Sequence, residues 1–156
     1  MSGIKKEKRF VITVAKKFLS YHSKAGQPTE FGENIQKGFK IHTIRPNYDG
    51  WLKKFKDIDS GKGKLIVNQW SGLPYRTPQE TIKELSKEDG IGVSKLTFKE
   101  NEGLFVNDTI HVQIEELAAN DGLSLTDFEE WFKVFPSEPM AIIHFTPFRY
   151  GSDSEK

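Results

Sequence analysis

The chain has 156 residues, enough for one domain with a sizeable buried core, and its 23 Lys and Arg against 22 Asp and Glu leave a net charge of +1. It contains no cysteine, which excludes disulfides and thiolate zinc sites. No stretch approaches the roughly 20 apolar residues that cross a bilayer, and no apolar signal-peptide core follows the basic start, so a cytoplasmic protein with no membrane partner is expected. The near-neutral total hides an asymmetry: residues 1–64 carry 15 cations against 6 anions, and residues 65–156 carry 8 against 16. A basic first half suits an anionic partner such as RNA or a nucleotide, unless the halves interleave in space and the charges mix.

Met1–Arg9 reads as a lysine-rich, mobile arm, residues 10–150 as a single domain, and residues 151–156 as a polar, disordered tail. Phe10–Val14 begins the first strand. The segment from His22 to Thr29 is loop chemistry, with Gly26 and Pro28 as breakers. Thr29 is placed to cap a short helix through Gln36, since Phe31 and Ile35 are four apart and Gly38 supplies the stop. The run Gly38-Phe39-Lys40-Ile41-His42-Thr43-Ile44-Arg45, closed by Pro46, follows as a strand. Alternation puts Lys40, His42 and Ile44 on one face and Ile41, Thr43 and Arg45 on the other. A lysine, a hydroxyl and an arginine within six residues look like a site, and an edge strand with a solvated polar face is the plain alternative.

Tyr48, Leu52, Phe55 and Ile58 then recur at helical spacing, with Asn47 or Asp49 as cap, Gly61 as stop, and a lysine-bearing opposite face. Gly61-Lys62-Gly63-Lys64 lacks the earlier glycine and the following Ser or Thr of a phosphate loop. Lys64–Trp70 is a strand, Ser71-Gly72-Leu73-Pro74 a turn, Glu80–Leu85 ambiguous between helix and strand, and Ser94–Phe98 a short strand. Asp108–Leu117 is the clearest alternating segment, with Ile110, Val112 and Ile114 on one side. Thr126-Asp127-Phe128-Glu129 has capping-box form and opens a helix whose Phe128, Trp131, Phe132 and Phe135 are expected in the core rather than on a stacking surface. Ala141–Phe145 is the last strand. Short strands with two or three inserted helices imply an α+β fold built on a small mixed barrel.

The pattern Gly38-x-Lys40-x-x-Thr43-x-Arg45, placed after a short helix, resembles that of ASCH-domain proteins, a branch of the PUA-like β-barrels. Within that family the chain resembles the small bacterial acetylcytidine amidohydrolases, and it also resembles an uncharacterised subgroup from gut bacteria and their phages. Asp121-Gly122-Leu123-Ser124-Leu125-Thr126, then Phe135-Pro136 and the closing strand, match a second anchor, with Asp121 at the family's glutamate position. The resemblance covers about a third of the chain, and Asn47 to Glu102 differs. It implies a PUA-like barrel and a polar pocket for RNA or a modified nucleoside. Alternatively, it implies an amidohydrolase in which Thr43 is the nucleophile, Lys40 the base and Asp121 the acid/base, with Arg45 as an anchor.

That chemistry is physically sensible, because a threonine hydroxyl needs a nearby base and a lysine serves when burial or a positive neighbour lowers its pKa. Aspartate is one methylene shorter than glutamate, of order 1 Å, and such a misplacement can cost about 100-fold in rate. His42 either assists the base or fills a barrel position. Trp70, Tyr75 and Arg76 either stack on a base and hold a phosphate, or anchor the turn to the core. His22, His111 and His144 lack ligand spacing, so no metal and no cofactor are expected. A third alternative is an accessory protein of a phage or mobile element that binds another protein through an apolar patch on the inserted segment.

Overall fold

Apolar alternation carries the chain into β1 (Lys8–Val14), whose Ile12 and Val14 are buried while Val11 faces solvent. The structure, a computed structural model, describes residues 7–72, 75–133 and 135–151. The first strand thus takes in Lys8 and Arg9 of the expected arm, and the rest of that arm before Glu7 lies outside the described residues, as does the tail after Gly151. Next comes α1 (Phe31–Lys37), preceded by Glu30 in a left-handed conformation and closed by Gly38 at φ 82°. Thr29 still serves the helix start, its hydroxyl accepting from the Phe31 N–H at 3.2 Å. Strand β2 (His42–Arg45) is shorter than expected: Lys40 and Ile41 lie in the turn before it, with the Lys40 N–H on the Asn34 carbonyl.

Asn47 caps α2 (Tyr48–Asp59) by accepting from the Gly50 N–H, and Phe55 and Ile58 form its buried face. Strand β3 (Gly63–Trp70) returns parallel to β1, and β4 (Gln79–Leu85), the ambiguous segment, pairs antiparallel with β3. These form a three-stranded sheet in the order β1-β3-β4. The turn between β3 and β4 includes Leu73 and Pro74, which lie outside the described residues.

The second sheet has five strands. It adds β5 (Gly92–Lys99), β6 (Gly103–Val106), β7 (Ile110–Val112) and β8 (Met140–His144), in the order β2-β8-β5-β6-β7 with every pairing antiparallel. The alternating segment Asp108–Leu117 is therefore strand only as far as Val112. The chain turns at Gln113 into α3 (Ile114–Asn120), where Ile114, Leu117 and Ala118 fall at helical spacing and Glu115 and Glu116 suit the positive end of the helix. Helix α4 (Leu125–Trp131) is capped two residues before the expected Thr126, with the Ser124 hydroxyl accepting from the Asp127 N–H. The fold is α+β with four α-helices rather than two or three, and among the described residues the two sheets stay separate and close no barrel.

The core lies between these layers, and the whole of β8 is buried because it pairs with β2 on one side and β5 on the other. Ile142 and Ile143 are completely covered. Replacing Ile143 with alanine is expected to lower the unfolding free energy by about 2–5 kcal/mol, since it leaves a cavity that the sheet cannot collapse to fill. Val11→Ala on the exposed strand should stay within about 0.5 kcal/mol. Urea denaturation of both variants against the wild type checks this.

Candidate functional site

Residues from several elements and the turns between them line one cavity of about 390 Å³. The end of β1 supplies Thr13 and Val14, the turn before β2 supplies Lys40, and β2 itself supplies Thr43, Ile44 and Arg45. Trp70 ends β3 at the rim, and Tyr75 projects from the following turn. Asp121 enters from the corner between α3 and α4, and Trp131 and Phe132 from the end of α4. The volume falls in the range of small-molecule sites.

Lys40 and Thr43 both reach the cavity although strict alternation would put them on opposite faces. Lys40 lies in the turn, so the strand period begins only at His42. The Lys40 side chain is buried, and its Nζ donates to the Asp121 carbonyl at 2.7 Å and to Asp121 Oδ1 at 3.1 Å. It also sits 4.2 Å from the centre of the Phe31 ring. Burial is the largest influence on this amine and lowers its pKa below the usual 10.5. Asp121 pulls it back up by charge and hydrogen bond, and Arg45 lowers it further. Arg45 donates to the Thr13 carbonyl at 2.7 Å, which ties β2 to β1. Its own pKa is lowered by burial, with Asp121 opposing, yet a guanidinium keeps its charge at neutral pH. The Thr43 hydroxyl makes no hydrogen bond among the described residues and opens on the cavity.

His42 departs from its expected place as a ligand-binding residue. Alternation along β2 turns it away from the cavity into the core, opposite His144 in the β2–β8 register. Its Nδ1 lies 3.2 Å from Asp121 Oδ1, and its Nε2 lies 2.7 Å from the Tyr150 hydroxyl. His144 bonds Ser94 Oγ through Nε2 at 2.8 Å, while its buried Nδ1 has no partner among the described residues. Burial pushes the His144 pKa down to about 2, so that ring is neutral. Arg76 also departs: it lines a separate, mostly apolar groove that shares Leu19 and Tyr21 with the cavity. Trp70 and Tyr75 are held together as expected, ring centres 5.1 Å apart. Tyr75 is 90% exposed and takes a left-handed backbone, φ 63°.

Sequence reasoning missed several wall residues. Trp131 and Phe132, expected in the core, are only half-buried and face the cavity, while Phe128 of the same helix is fully buried. Tyr150 and Asn120, which lie behind the cavity rather than on its wall, carry no motif. The loop expected at His22–Thr29 is latched to α4 by Tyr21, Ser23 and Lys24, which bond Trp131, Glu130 and Asp127. His22, Asp127 and Glu130 come within 4.8 Å of one another, a grouping that suits a cation. Here each is already engaged: His22 accepts from the Lys24 N–H and reaches the Asp127 carbonyl, Lys24 pairs with Asp127, and Ser23 bonds Glu130. The charges of the two chain halves do mix, since Arg9, Lys16, Lys24 and Lys40 pair with Glu84, Glu80, Asp127 and Asp121.

No protein-family model matches the chain, and no curated protein or solved structure matches it either. The local geometry therefore carries the functional argument. Because the folded-state pKa of Lys40 lies below its unfolded value, the unfolded chain binds more protons in the window just below 10.5. The stability of the wild type relative to Lys40→Met should therefore rise with pH towards 10.5. Paired urea titrations from neutral pH to about 10 test the sign; a falling difference would contradict it.

Proposed function

We propose that the cavity binds a single nucleoside, free or displayed by RNA, in the manner implied by the resemblance to ASCH and PUA-like proteins. One observation carries this reading: four polar side chains of suitable chemistry, Lys40, Thr43, Arg45 and Asp121, share a nucleoside-sized cavity with Trp70 and Tyr75. The aromatic rings offer faces for a base, and the polar groups address its exocyclic atoms. The fold proposed with it is an opened PUA-like barrel. Its support is the order of short helix, glycine turn and polar strand, with the closing strand paired beside that strand.

A second reading, hydrolysis of an N-acylated cytidine, is favoured by the burial that lowers the Lys40 pKa and by the Thr43 side chain on the same cavity. As a neutral amine, Lys40 has two N–H groups for its two acceptors on Asp121, which leaves the nitrogen lone pair free. Thr43 Oγ attacks the amide carbon and its proton passes to that lone pair. The tetrahedral intermediate then expels the amine, which takes the proton back, and water releases the acyl group from Thr43. The partner-protein alternative gains no support. Among the described residues of 47–102, the exposed large apolar side chains are Tyr75, at the cavity rim, and Phe98, stacked on Phe135 at 6.0 Å.

The test is a panel of acylated cytidines and cytidine itself, with binding and cytidine release measured together. The wild type is expected to bind members of the panel, and Trp70→Ala to lose about 1–3 kcal/mol of that affinity through lost stacking. Thr43→Ala should bind within a few-fold and abolish any release. Absence of binding to the panel, and to single-stranded RNA at low salt, would overturn the nucleoside reading.

A further inference from the structure

Behind the cavity lies a buried chain of hydrogen bonds that no step above uses. Asn120 Nδ2 lies 3.0 Å from the Tyr150 hydroxyl, which lies 2.7 Å from His42 Nε2, and His42 Nδ1 lies 3.2 Å from Asp121 Oδ1. The same Oδ1 accepts from Lys40. The direction of the bonds follows from the carboxylate end. A carboxylate can only accept, so His42 must carry a proton on Nδ1. In the neutral ring Nε2 is then an acceptor, and the Tyr150 hydroxyl donates to it. Asn120 fits that direction, since an amide nitrogen can only donate and the Tyr150 oxygen keeps a lone pair to accept from it.

The chain is closed to solvent where it matters. His42 is fully covered, and Tyr150 and Asp121 are buried to 5% and 4% exposure. Burial raises the Tyr150 pKa, which keeps its phenol protonated and able to donate. An imidazole in this position has no water to turn towards, so its protonation site is set by the two partners alone. A backbone hydrogen bond supports the same placement: Ile41 N–H donates to the Asn120 carbonyl at 2.9 Å, which fixes the α3 end against the strand that carries His42.

We infer that Tyr150 and His42 are positioning residues for the cavity, holding Asp121 Oδ1 in the orientation that receives Lys40 through an Nδ1–H tautomer of His42 that Tyr150 enforces. This rests on the reading of Lys40 and Asp121 as the working groups of the cavity, but its structural half stands apart from any ligand. Neither residue lines the cavity, so their effect on function is transmitted through Asp121. Loss of Tyr150's proton leaves His42 Nε2 without a donor and frees the ring to change tautomer, which would withdraw the bond that steadies the carboxylate.

The experiment uses the full chain labelled with ¹⁵N-histidine, as wild type and Tyr150→Phe, a change that removes one oxygen and keeps the ring packing. In wild-type spectra at neutral pH, His42 is expected as the Nδ1–H form with a hydrogen-bonded Nε2. His22 is an internal control of the opposite form, because its Nδ1 accepts from the Lys24 N–H. In Tyr150→Phe the His42 Nε2 signal should move downfield or the ring should switch tautomer, with His22 unchanged. Where acetylcytidine is turned over, kcat should fall about 10-fold with KM little altered, the lower range for loss of a supporting partner. An Nε2–H form of His42 in the wild type, or an unshifted His42 in Tyr150→Phe, would overturn the inference. A correct tautomer with no ligand bound in either protein would uphold the positioning and sink only the nucleoside reading.

Discussion

A lysine amine withdrawn from water needs a counter-charge and hydrogen-bond acceptors, and Lys40 finds both on one residue. The rest of the site depends on that pairing. To place the amine on Asp121, the turn after α1 must lie against the α3–α4 corner, and the backbone bond from Ile41 to Asn120 fixes it there. The strand that follows then has only one register against β8, with Thr43 facing the cavity and His42 facing inwards. Removing either partner of such a pair leaves an uncompensated buried charge, costing about 3–5 kcal/mol, so the pair constrains geometry more than it adds stability. The Asp121 carboxylate is in turn held by a second donor, His42, so that its orientation is set from two sides.

The local signals that were legible in the sequence were those written in a few consecutive residues. Glycine after Ile35 ended α1, Asn47 capped α2, and the β3, β5 and β8 patterns gave strands close to their observed ends. The grouping of Lys40, Thr43, Arg45 and Asp121 was also anticipated, and all four line one cavity. The face assignment of Lys40 was not, because a period of two holds only inside the strand and the strand begins at His42.

What stayed illegible depended on long-range placement. Residues Ile110, Val112 and Ile114 alternate as a strand does, but Ile114, Leu117 and Ala118 also satisfy a helix, and only the packing of α3 decides between the two periods. The aromatic run of α4 divides by position along the helix. Phe128 is sealed in the core, whereas Trp131 and Phe132 reach the helix end and open on the cavity. Tyr150 gains its partners from residues 30 and 108 positions away, a relation with no spacing to read. Part of the charge asymmetry between the two halves cancels in space, since four cations of the first half find carboxylates of the second.

The shortness of Asp121 has a structural counterpart. An aspartate reaches less far than a glutamate, so the backbone must come nearer to meet the same amine. Gly122 allows that approach: its φ of 81° favours glycine, and a Cβ there would lie 3.1 Å from the Lys40 Cβ and 3.3 Å from its Cγ and Cδ. The closeness is visible in the bond from Nζ to the Asp121 backbone carbonyl, at 2.7 Å shorter than the bond to the carboxylate. The amine is thus held by main chain and side chain of one residue, and the carboxylate keeps Oδ2 free of any bond among the described residues. Main chain and side chain of one residue can hold the lysine together because Gly122, with no side chain, lets this corner lie against the Lys40 methylenes.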